Sequence, residues 1–120
     1  MILAEYIHSK LDLPFAWGSN DCVTFVLGWV EIHTGCNHKS SLQPWLSEIE
    51  AVKAIKAAGG LLHKCNELFK PVNPLAAVDG DIALIDRTVY LFSGPNIVGP
   101  GSSGLVFDDR MRVKCAWSYS

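Results

Sequence analysis

The chain has 120 residues, 49% of them hydrophobic and 18% charged, with a formal net charge of −2. Such a length suits one domain with a sizeable core, so residues 1–120 are read as a single unit, and the composition excludes a disordered chain. The slight acidity, with no Lys/Arg block interleaved with aromatics, excludes a broad nucleic-acid-binding face.

Residues 2–11 place Leu3, Tyr6, Ile7 and Lys10–Leu11 at helical spacing, with Pro14 as a stop. This N-terminus has acidic Glu5 and no basic stretch ahead of its apolar residues, so it is read as a helix and not a signal peptide. A second helix is expected from Ser19–Asp21 to about His33, capped by Ser19 or Asn20 and ending at Thr34–Gly35. Cys22, Phe25, Val26, Trp29 and His33 then share one face, which puts this helix at the centre of the fold. Its apolar run, Val23 to Ile32, is broken by Gly28 and Glu31 and falls short of the roughly 20 residues a membrane span needs.

Ser47-x-x-Glu50 reads as a capping box opening a third helix, closed by Gly59-Gly60. Leu61 to Phe69 reads as a fourth, stopped by Pro71 and Pro74. The pattern then changes to short β-type runs: Ile82–Ile85, Val89–Phe92, Leu105–Phe107 and Val113–Tyr119. In the last of these Val113, Cys115, Trp117 and Tyr119 alternate with Lys114, Ala116 and Ser118, which predicts one buried face. Helices first and strands second predict an α+β domain, N-terminal helices packed on a mostly antiparallel sheet.

The four cysteines (Cys22, Cys36, Cys65, Cys115) lack the spacing of a disulfide scaffold, and free thiols are expected in a reducing cytoplasm. Cys22 stands out because it falls in the first turn of the second helix. Unpaired backbone N–H groups and the helix dipole favour a thiolate there, which is the placement of a cysteine nucleophile. The same position also suits a small residue facing a core, so the sequence leaves both readings open.

Trp17-Gly18-x-x-Asp21-Cys22-x-x-Phe25 resembles the nucleophile motif of the NlpC-type papain-like cysteine peptidases, which cut peptide bonds in bacterial cell walls. Asp79-Gly80-Asp81-Ile82 resembles the Gly-Asp strand that follows in that superfamily. Pro14-Phe15-x-Trp17-Gly18, Thr34-Gly35, Gly104-Leu105-Val106 and Cys115-x-Trp117 are similar to a group of small phage and prophage tail-cluster members. The resemblance implies an NlpC/papain-like fold, with Trp17, Gly18, Asp21, Gly80 and Asp81 as motif residues and Cys22 at the nucleophile position.

Active members carry a histidine base at the start of the strand after the Gly-Asp strand. Aligning that strand with Thr88–Gly94 puts Thr88 there, and no histidine follows His63. Threonine cannot take a proton from a thiol near neutral pH, and losing a general acid–base partner typically removes about 10²–10⁴ in rate. His33 lies eleven residues beyond Cys22, about 16 Å up the helix, and is out of reach.

Other patterns have plainer readings. Cys36-x-His38 and His63-x-Cys65 supply four soft ligands, but the one-residue spacing is not that of zinc knuckles, so no metal is expected. Gly99-Pro-Gly101-Ser-Ser-Gly104 matches G-x-G-x-x-G yet runs into a strand, and is read as a mobile turn between strands. Asp79/Asp81 and Asp108/Asp109 are read as solvated turns. Trp45, after Pro44 in a loop, is the tryptophan expected at the surface and assigned a partner contact.

These readings lead to an expectation of a phage tail-tip structural or assembly protein with a degenerate catalytic centre, Cys22 being vestigial. Other tail proteins would be its partners and no cofactor is expected. It would reside in the host cytoplasm during assembly and then in the virion tail. The rival expectation is an active cysteine peptidase or amidase that uses Cys22 and a relocated base on peptidoglycan during entry.

Overall fold

Four α-helices and six strands make up the described residues, 1–119, of the computed structural model. The helices are α1 (Leu3–Lys10), α2 (Cys22–Thr34), α3 (Glu48–Ala57) and α4 (Leu61–Leu68). The strands are β1 (Lys70–Val72), β2 (Ile82–Ile85), β3 (Thr88–Ser93), β4 (Asn96–Gly101), β5 (Gly104–Asp109) and β6 (Cys115–Ser118). They form one antiparallel sheet in the order β1-β6-β2-β3-β4-β5, so the fold is α+β as expected. No helix among the described residues is long and apolar enough to cross a membrane.

The cap of α2 differs from expectation. Asp21, not Ser19 or Asn20, is its N-cap, and its carboxylate accepts the Thr24 N–H at 2.9 Å. The Asn20 amide is engaged elsewhere, donating to the Leu13 and Pro14 carbonyls and so holding the turn that leads into the helix. Gly35 ends α2 at φ 76°, a left-handed conformation that glycine adopts without a Cβ clash. Ser47 caps α3 as the sequence predicts, while the Glu50 carboxylate accepts from the Leu46 N–H.

The central position of α2 follows from its composition. Val23, Phe25, Val26, Leu27, Trp29 and Val30 are all buried, against Ile82, Val89, Leu91, Val98 and Trp117 on one face of the sheet. A second, smaller core of Ala83, Phe92, Ile97 and Ala116 lies on the opposite face, covered by Ala77 and Val113. Arg110 clamps that cover: its guanidinium donates to the Gly94, Pro74 and Ala77 carbonyls and lies over the Phe92 ring.

Three expectations need correction here. The last strand is not buried on one face only: Ala116 and Trp117 are both buried, because each face of the sheet carries a core, and Cys115, the first residue of the strand, is exposed. The glycine-rich run is largely strand. Gly99 and Gly101 lie in β4, Gly104 opens β5, and the turn proper is Ser102-Ser103. The hairpin also binds the segment before α2, with Leu105 donating to the Leu11 carbonyl and Phe15 to that of Gly101.

The third correction concerns Trp45, which is 2% exposed. Its indole N–H donates to the Asp21 carboxylate at 2.6 Å, and the Lys39 ammonium sits over its ring. A buried carboxylate needs donors, and the indole supplies one while burying its apolar body. Trp17, at 38%, is the exposed tryptophan, its ring packed edge-on against Phe15.

Candidate functional site

The start of α2 is built around the Asp21 carboxylate, which is 1% exposed. One oxygen accepts from Thr24 N–H; the other accepts from Gly18 N–H at 2.8 Å and from the Trp45 indole. Asp21 thereby ties the Trp17-Gly18 turn, the first turn of α2 and the loop before α3 into one unit. Gly18 has φ 85°, and a Cβ there would fall against the Trp45 carbonyl oxygen, so the close approach of these two segments requires glycine.

Cys22, the first residue of α2, is half-buried and free. Burial pushes its thiol above the ordinary range, while a hydrogen bond with the backbone of Val89 acts the other way. The neighbouring Asp21 charge adds to the rise, and backbone hydrogen bonds with Val23 and with Cys22 itself only partly oppose it. The lowering expected of a helix N-terminus is therefore overridden by desolvation and by a carboxylate one residue away.

Thr88 and Tyr90 lie beside this site but project from the face of β3 opposite to Val89, which packs with α2. The Tyr90 phenol is raised, chiefly by burial, and is hydrogen-bonded with the Thr88 side chain. Charges on Asp108, Cys22 and Arg112 act on it more weakly. Among the described residues, the groups that act on the Cys22 thiol include no imidazole. His33 packs at a tilt against Trp29 in the last turns of α2, His38 packs edge-on against Phe69, and His63 pairs with Glu67 on α4. No group of three or more His, Cys, Asp or Glu among the described residues is placed to share a metal ion.

Gly80 and Asp81 form a separate cluster. Gly80 has φ 89°, and a Cβ there would sit 2.8 Å from the Trp29 indole nitrogen and 2.9 Å from the Tyr119 hydroxyl. Trp29 is seven residues along α2 from Cys22, about 10 Å. The Asp81 carboxylate accepts from the Val78 N–H and its backbone pairs with Phe92, so the Gly-Asp block shapes the entry to β2.

Thus Trp17, Gly18, Asp21 and Cys22 are brought together and Trp45 joins them unforeseen, while Thr88 and Tyr90 flank Val89, whose backbone meets the Cys22 thiol, but project to the other face of the sheet. Trp45 lies 24 residues from Asp21 in the chain and no spacing rule links them. Chemically, the arrangement holds a thiol raised above its ordinary range, on which no imidazole acts among the described residues. The chain belongs to the family described as domain of unknown function (DUF6950), which matches residues 2–119. No curated protein and no solved structure matches it.

Proposed function

We propose that this protein is an NlpC-like, papain-type domain whose catalytic centre is degenerate, and that it works as a structural or assembly component of a phage tail tip. The motif resemblance supports the fold and setting. What carries the loss of catalysis is the state of Cys22: a thiol raised by burial and by Asp21, with no imidazole acting on it. Thr88, at the position where active relatives carry the base, is bonded to Tyr90. A peptidase of this type needs a thiolate to attack and an acid to protonate the leaving amine, and removing that partner costs about 10²–10⁴ in rate. The N-terminal turn of α2 is kept for packing, since Asp21 uses it to join three segments.

Alkylation of Cys22 across pH tests this, with Cys36, Cys65 and Cys115 replaced by serine. The expected rate rises only above the ordinary thiol range of about 8.5. A rate already at its plateau near neutral pH would overturn the degenerate reading, as would peptidoglycan hydrolysis lost in Cys22→Ala. The tail setting is tested separately by mass spectrometry of purified tails and of assembly intermediates, and absence from both would refute it.

A further inference from the structure

A second group of chemically capable side chains lines an open pocket of about 270 Å³ that includes neither Cys22 nor Asp21. Three parts of the chain form its walls. α4 supplies Leu62, the end of β2 and its turn supply Leu84, Ile85 and Asp86, and the segment entering β6 supplies Arg112, Lys114 and Cys115. Leu84 and Cys115 are register partners on β2 and β6, so their side chains stand together on one face of the sheet. Leu84 packs against the larger core, Ile85 against the smaller one, and Leu62 is 51% exposed. The pocket therefore has an apolar floor with charged groups around it.

Those charges are not all answered within the chain. Arg112 pairs with Asp108. Among the described residues Lys114 and Asp86 belong to no ion pair, either with each other or with another group. Asp86 lies in the two-residue turn between β2 and β3 at φ 54°, in the left-handed region. One unpaired ammonium, one unpaired carboxylate and an apolar floor complement a molecule that carries both charges on an apolar body. The volume falls just below the roughly 300–1,000 Å³ of common ligand pockets, so that molecule is small. A chain terminus carries only one of the two charges and matches half of the site.

We infer that this pocket binds a free α-amino acid with an apolar side chain. Lys114 takes its carboxylate, Asp86 its ammonium, and Leu62, Leu84 and Ile85 its side chain. Both charged residues are exposed, so each pairing strengthens binding by only about two- to fivefold and the affinity is low. The site stands whatever the state of Cys22 and whatever the setting of the protein.

Alkylation of Cys115 in the folded chain tests this, read by peptide mass spectrometry with the exposed Cys36 as internal control. Leucine is expected to protect Cys115 saturably and to leave Cys36 unchanged, while glycine, with no apolar side chain, gives no protection at the same concentrations. Isocaproate, which is leucine without its ammonium, and isoamylamine, which is leucine without its carboxylate, should each bind about two- to fivefold more weakly. Asparagine tolerates the left-handed φ, so Asp86→Asn removes the charge and keeps the turn. That variant should weaken leucine and leave isocaproate unchanged. Lys114→Met should weaken leucine and leave isoamylamine unchanged, each variant being compared with itself without ligand. No protection of Cys115 by leucine would overturn the inference, as would equal protection of Cys36 or protection by glycine as strong as by leucine. A loss in either variant that extends to the analogue lacking the matching charge would overturn the roles of Lys114 and Asp86.

Discussion

The buried Asp21 carboxylate accepts three hydrogen bonds, one from each of three segments. Replacing Trp45 by Phe keeps most of the packing and removes one donor, which should cost about 1–3 kcal/mol. Asp21→Ala removes the helix cap as well and should cost more, and urea denaturation of both variants would rank them. The glycines make a second comparison. Gly80→Ala combines a left-handed φ with a clash against Trp29 and Tyr119, whereas Gly35→Ala has the same kind of φ but open space. The first should lose about 2–4 kcal/mol and the second about 1 kcal/mol; equal losses would mean that the Trp29–Tyr119 contact yields freely.

Among the elements, α2 and the β4–β5 hairpin are coupled through the chain between them. The hairpin holds Leu11 and Phe15 by backbone hydrogen bonds, and the turn that follows delivers Asp21 and Cys22 to the start of α2. Gly104 permits this, with φ 130° and a Cβ position that would fall against the Leu11 carbonyl. Gly104→Ala should therefore destabilise the fold by about 1–3 kcal/mol. It should also raise amide exchange at Phe15 and Leu105 more than in the interior of α2; uniform exchange would show that the hairpin and the segment open independently of each other. Much of this level was legible in the sequence. Ser47, Gly35 and Gly59-Gly60 mark helix ends by local chemistry, and β2 and β3 follow from short apolar runs. β1 and β4 escaped because Pro71, Pro100 and two glycines occupy them, residues whose usual place is a turn.

At the scale of the whole molecule, burial sets how stability depends on pH. The Cys65 thiol and the Tyr6 phenol are each pushed up to about 12 by desolvation, and Cys22 is raised in the same direction. In the unfolded chain these groups lose their protons at ordinary values, near 8.5 for a thiol and 10 for a phenol. The folded chain then holds more protons than the unfolded one, so stability is fully present below about pH 8.5 and falls as pH rises towards about 12. Each group contributes a slope of at most about 1.4 kcal/mol per pH unit. Denaturant midpoints measured from neutral to alkaline pH should fall accordingly. In Cys65→Ala the fall should be shallower whatever the variant's starting stability, and an unchanged slope would remove Cys65 from the account.

By itself the sequence determined the order of helices before strands, the centrality of α2 and the position of Cys22 at its start, because periodicity and caps act over a few residues. The tertiary structure decided what those positions mean. Trp45 is buried because Asp21, distant in the chain, needs a donor, and Ala116 is buried because β6 has cores on both faces. The Cys22 thiol is raised by burial against the core, which outweighs the lowering by the Val89 backbone that β3 brings to it. Desolvation and hydrogen-bond demand depend on the surroundings in space, and local pattern carries no record of them.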